Sequence, residues 1–134
     1  MKRILLIAVM VMSVVVANAQ NDIKIDTTDS TIKYLLERIE TLEHKVAFQE
    51  DKNSLELLTL RVEPMVKEVQ SGIIGNYDVI KLDKSVRENY KAICETVSFN
   101  SLKYKYTDQE QQYLDSVANL VEIYLDMLRE YLGK

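Results

Sequence analysis

If this chain does chemistry, His44, Cys94 and its scattered carboxylates must do it. His44 is the single histidine and Cys94 the single cysteine. Zinc sites of the common kinds draw on several His or Cys ligands, and one of each, far apart in sequence, does not supply them. Glu40 and His44 are four residues apart and share a helical face. The Glu-x-x-His pairs that di-iron bundles take from two helices are absent, because Thr41 stands three residues before His44. His44 therefore reads as a solvated histidine on a charged face. A nucleophilic Cys94 needs a base beside it; His44 is the sole candidate, and no catalytic signature surrounds the cysteine. Cys94 lies four residues after Tyr90 at the flank of an apolar stripe, which reads as a buried structural thiol. The competing reading is a disulfide to another chain, which an unpaired cysteine raises in any exported protein.

The carboxylates are plentiful but unspecific. Glu37, Glu40 and Glu43 fall on one charged helical face, and Asp108 and Glu110 sit in a first turn, where acids favour the helix dipole. Acid pairs of the glycosidase type need a cleft and one raised pKa. No G-x-S-x-G, no phosphate-cradling glycine loop and no C-x-x-C is present, and three glycines in all make cofactor-wrapping loops hard to build. The sequence thus nominates no catalytic, cofactor-binding or metal-ligating residue. Its compositional oddity is eight tyrosines against two phenylalanines and no tryptophan. Tyr113, Tyr124 and Tyr131 fall on or beside an apolar helical face, while Tyr34, Tyr77, Tyr104 and Tyr106 are the candidates for exposure. Tyrosine suits interfaces because it buries area while keeping a polar handle, although a small helical core also borrows it to fill its edges.

The elements that carry these residues are helical. Thr107 followed by Glu110 forms a capping box. After it Leu114, Val117, Val121, Tyr124, Leu128 and Tyr131 step by threes and fours, and Tyr113, Leu120, Leu125, Met127 and Leu132 widen the face. The arc covers roughly 160°, and about 200° with Ile123, which fits a helix with several neighbours and marks Ile123 and Met127 as a place for a second chain. Asp29 and Ser30 are N-caps for a helix from Thr31, whose Ile32, Leu35, Ile39, Leu42 and Val46 make a seam only about 80° wide, closer to a coiled-coil stripe than to a core helix.

Asp51-Lys52-Asn53-Ser54 interrupts that pattern, and Leu55, Leu58, Val62, Met65 and Val69 begin a second stripe. On one straight helix the two stripes would be roughly 140° apart, so a break near Asn53 is the favoured expectation. The competing one is a single long helix, which Leu57 and Leu60 support by continuing the first stripe's direction. Pro64 is expected to kink the second stripe. Residues 73–82 read as an apolar connection after Ser71-Gly72. Asp83 starts a helix with Val86, Tyr90, Ile93 and Val97 inside, and 98–106 forms a second connection.

Residues 1–19 read as a secretory signal peptide. Lys2 and Arg3 precede an apolar run interrupted only by Ser13, and Ala17-Asn18-Ala19 supplies the small-x-small cleavage pattern, so the mature chain begins at Gln20. The run is about fourteen residues, short of the ~20 needed to span a bilayer. The residue directly after the cleavage point is Gln20, not a cysteine that could carry a lipid. The signal is of bacterial character, which implies a periplasmic or secreted product. Without Lys2 and Arg3 the seventeen basic residues become fifteen against twenty-one acidic, a net charge near −6. A mixed acidic surface argues against nucleic acid and against anionic lipid.

The expected fold is all-α: a signal peptide over 1–19, a flexible leader over 20–29, and one domain over 30–134 made of a small antiparallel bundle of three or four helices. The expected function is that of an exported, non-enzymatic binding or assembly module. It acts through helical faces and tyrosine-bearing loops on a protein partner, itself included as a homodimer, with no cofactor and no stable membrane insertion after cleavage. A periplasmic inhibitor or immunity-type protein that neutralises a toxin or hydrolase is the alternative; an enzyme is third, for want of a clustered site.

Overall fold

A computed structural model describes residues 25–73 and 76–132. The signal segment 1–19 and residues 20–24 of the leader lie outside the described residues. Three helices make up nearly all of the rest, with no strand among the described residues: α1 is Ile25–Gln70, α2 is Asn76–Tyr104 and α3 is Asp108–Leu132. The fold is an all-α helical bundle. The chain divides into two units, one ending at Val46 and the other beginning at Ala47.

In the first unit α1 opens at Ile25, ahead of the caps at Asp29 and Ser30. Its seam is not buried. Ile32, Leu35 and Ile39 are half-exposed, Leu42 and Val46 are exposed, and Leu36 beside them is 50 % exposed. The Thr41 hydroxyl donates to the Glu37 carbonyl one turn back (2.8 Å), so it adds no capping signal that would stop the helix.

In the second unit the break expected near Asn53 is absent; α1 runs unbroken to Gln70. The polar residues that suggested a cap turn back on the helix instead. Ser54 Oγ donates to the Glu50 carbonyl at 2.9 Å, and Gln49 Nε2 donates to Asn53 Oδ1 at 2.8 Å. Both are one-turn bonds that an unbroken helix accommodates. Pro64 lies inside the helix on its exposed side. A Schellman turn ends α1: Ile73 N donates to the Glu68 carbonyl (3.1 Å) and Gly72 N to that of Val69 (3.0 Å). Gly72 takes φ 73°, a left-handed conformation open to glycine at no steric cost.

Both connections are shorter than the sequence suggests. The first was expected over 73–82, but α2 begins at Asn76, because nothing after Asn76 is a helix breaker. The second was expected over 98–106, but α2 runs to Tyr104. Lys103-Tyr104-Lys105-Tyr106, whose alternation resembles a strand, is a helix end: Lys105 takes φ 53° and Tyr106 N donates to the Ser101 carbonyl at 3.2 Å. The Thr107 capping box forms in both directions. The Thr107 amide donates to Glu110 Oε2 (2.9 Å) and the Glu110 amide to Thr107 Oγ1 (3.2 Å).

The core of this unit falls in two clusters that order its helices. One joins Leu55, Val97 and Leu114, with Phe48, Tyr106 and Val117 packed against them. The other joins Leu58, Val62, Met65 and Val66 to Val86 and to Val121, Leu125 and Leu128. Within this unit the Phe48–Leu55 stretch of α1 thus meets late α2 and early α3, and the Leu58–Val69 stretch meets early α2 and late α3. Each helix is antiparallel to the next along the chain. The stripes Leu55-Leu58-Val62-Met65 and Val86-Tyr90-Ile93-Val97 pack inward as their spacing predicts. The face of α3 is narrower in the structure. Leu114, Val121, Leu125 and Leu128 are buried, whereas Tyr113, Leu120, Ile123, Met127 and Tyr131 are exposed.

Candidate functional site

The one buried charged residue described is Asp51, 3 % exposed. It lies on α1 four residues before Leu55, on the core side, where an isolated carboxylate would be costly. Two donors offset that cost. Asn100 Nδ2 donates to Asp51 Oδ1 at 2.9 Å, and the Tyr106 hydroxyl donates to Asp51 Oδ2 at 2.7 Å. Asn100 comes from the last turns of α2 and Tyr106 from the turn after it, held edge-on against Phe48 with ring centroids 5.6 Å apart. Burial, then the hydrogen bond to Asp51, pushes the Tyr106 phenol well above its ordinary value, so it stays a protonated donor. Each acceptor in this network has its donor; no fully buried side-chain N or O among the described residues lacks a hydrogen-bond partner. A satisfied network of this kind fixes position.

A second polar group bridges α2 and α3. Arg87 chelates Asp83 through Nε (2.9 Å to Oδ1) and sends Nη2 to the Leu125 carbonyl at 2.5 Å. One turn on, the Tyr90 hydroxyl donates to Glu122 Oε1 at 2.9 Å and lies 3.2 Å from the Ala118 carbonyl. Cys94 sits beside it, half-buried where the sequence suggests full burial. Burial raises both the thiol and the phenol, the latter helped by Cys94 and Glu122. A raised thiol is a poor nucleophile at neutral pH. His44 lies in the first unit and Cys94 in the second.

Two concavities among the described residues are small. One of about 160 Å³ is lined by Asp51, Ser54, Ile93 and Thr96, and one of about 270 Å³ by Arg87, Tyr90, Glu122 and Arg129. Both fall below the roughly 300 Å³ at which small-molecule sites begin. Among the described residues no three His, Cys, Asp or Glu side chains converge as a metal site would require. Nor is any described helix long and apolar enough to cross a membrane.

The tyrosines sort differently from their spacing. Tyr106, expected to be exposed, is half-buried on Asp51, whereas Tyr113 and Tyr131, assigned to the inner or flanking face, are exposed. Tyr113 donates to Glu56, and Lys52 Nζ lies 5.2 Å from its ring centroid. Tyr34 is exposed as expected, and the side chain of Tyr77 is outside the described residues. The sequence reading missed Asp51 and Asn100. Their signal was present: Asp51 continues the Leu55-Leu58-Val62 stripe backwards, and Asn100 continues Val86-Tyr90-Ile93-Val97 forwards. A polar residue in register with a core stripe marks a buried hydrogen bond.

Exposed apolar side chains include Leu36, Leu42 and Val46 in the first unit and, in the second, Leu57 and Leu60 on α1, Phe99 and Leu102 on α2 and Leu120, Ile123 and Met127 on α3. No family model matches the chain, and no curated protein or solved structure matches it.

Proposed function

We propose that this chain is an exported, non-enzymatic binding or assembly module of a bacterial envelope. On this reading a signal peptide over 1–19 is cleaved between Ala19 and Gln20. The product acts in the periplasm or outside the cell, through helical faces, on a protein partner. It takes neither nucleic acid nor a stable place in the bilayer.

The observation that carries the reading is the seam of the first unit. Leu36, Leu42 and Val46 are 50, 41 and 37 % exposed, and Ile32, Leu35 and Ile39 are half-exposed beside them. A repeating apolar stripe left in water along one helical face is what a helix that docks on another protein presents. The polar networks support the same reading from the other side, since their groups are engaged in holding helices together.

The test is expression of the tagged chain in a Gram-negative host, with mass measurement of the exported product and affinity capture from the extracytoplasmic fraction. The reading expects a product beginning at Gln20 that co-purifies with a second copy or another protein in fixed ratio. A cytoplasmic, uncleaved chain with no partner contradicts it.

A further inference from the structure

The seam of the first unit repeats with the period of a coiled coil. Residues from Thr31 to Val46 form continuous helix. On that helix Ile32, Ile39 and Val46 recur every seven residues, with Leu35 and Leu42 three after the first two. Ile32, Ile39 and Val46 take the a positions of a heptad, and Leu35 and Leu42 the d positions. β-Branched residues at a with leucine at d favour two parallel strands, because the side-chain directions at the two layers of a parallel dimer suit those shapes.

The flanking charges choose the same arrangement. Arg38 falls at g and Glu43, five residues later, at the next e. In a parallel, in-register pair the g residue of one chain lies against the following e residue of the other. Arg38 then faces Glu43 of the partner subunit, and by symmetry the same pair forms on the other side. The sequence repeats the basic-to-acidic spacing at Lys45 and Glu50. In an antiparallel pair, g faces g and e faces e, which sets arginine near arginine and glutamate near glutamate. Among the described residues, neither Arg38 nor Glu43 is held in an ion pair within its own chain. We propose that the chain forms a parallel homodimer through a two-stranded coiled coil over Ile32–Val46, with Arg38 and Glu43 setting direction and register. The inference rests on the assembly reading above and names its partner.

The full exported chain tests this by light scattering and sedimentation over a hundredfold range of concentration reaching ~100 µM, since a seam of about two heptads gives a modest dimer. The proposal expects a dimer that Ile39→Asp converts to monomer while thermal unfolding of the second unit is unchanged. Arg38→Glu should raise the dissociation constant about tenfold, a loss comparable to a few exposed ion-pair contacts, and Arg38→Glu/Glu43→Arg should restore it. In a Cys94→Ala background, Leu35→Cys should oxidise to a disulfide-linked dimer, because only a parallel, in-register pair brings the two d positions together. A monomer throughout, a dimer indifferent to Ile39→Asp, or failure of Leu35→Cys to cross-link overturns the proposal. A monomer that still captures another exported protein would overturn the homodimer and leave the binding-module reading standing.

Discussion

The Tyr106 hydroxyl donates to Oδ2 of Asp51 at 2.7 Å across 55 positions of sequence, and that bond ties the α2–α3 turn to the buried side of α1. With Asn100 on the other oxygen, one carboxylate holds three segments of the second unit in register. Removing a donor leaves the buried Asp51 carboxylate short of a partner, and removing Asp51 leaves two half-buried donors without their acceptor, at a cost of up to about 1–3 kcal/mol per orphaned group. Asp51→Ala, which strands two donors, should therefore destabilise more than Tyr106→Phe, which strands one acceptor. Urea unfolding of the two variants and the double variant measures this. A double variant no worse than Asp51→Ala alone shows the expected coupling, and strictly additive losses speak against it.

The same phenol sets an alkaline limit. Burial and the bond to Asp51 raise Tyr106, and burial with Cys94 and Glu122 raises Tyr90, both above the ordinary value of 10.0. In the unfolded chain these phenols lose their protons near that ordinary value; in the folded chain they keep them to higher pH. Stability from this source is then fully present below about pH 10 and falls as pH rises above it. Unfolding free energy followed from pH 8 to 11.5 should be flat and then decline. In Tyr90→Phe/Tyr106→Phe the decline should be shallower, and an unchanged slope would rule out these two tyrosines as its source.

Adjacent leucines on α1 report which way the helix faces. Leu58 is 3 % exposed in the core and Leu57 is 66 % exposed. Leu58→Ala should cost about 2–5 kcal/mol, the range for a large-to-small change in a packed core. Leu57→Ala should stay within about 0.5 kcal/mol. Equal losses from thermal denaturation would mean that α1 is rotated from the orientation described.

The start of α3 depends on its reciprocal cap. Thr107→Ala removes the acceptor for the Glu110 amide and should cost about 1 kcal/mol. Thr107→Ser keeps the hydroxyl and should recover most of that. Chemical denaturation of both variants decides whether the hydroxyl or the threonine methyl matters.

Legibility in the sequence followed the strength of periodicity. The cap at Thr107 and the buried positions Leu114, Val121 and Leu128 could be read because cap chemistry and helical spacing agree there. The stripe Val86-Tyr90-Ile93-Val97 was equally plain. Helix ends were less so. Asn53 and Ser54 have the chemistry of caps, and sequence alone does not show that they bond one turn along the helix instead. Leu57 and Leu60 held the contrary signal, since leucines in line with the first stripe make sense only on an unbroken helix. Asp51 and Asn100 escaped because a polar residue on a stripe reads as an interruption until its partners are known, and those partners are far away in sequence. The width of the α3 face misled in the opposite direction: Ile123 and Met127 are apolar and helical, yet among the described residues no neighbour buries them.

On the proposed function, the α1 seam docks on a protein. Site-specific photo-crosslinking in living cells tests it most directly, with p-benzoylphenylalanine placed at Leu42 on the seam or at Glu37 on the opposite face of the same helix. A discrete, light-dependent adduct in the extracytoplasmic fraction is expected from Leu42 and none from Glu37. No adduct at Leu42, or equal adducts from both faces, would contradict it.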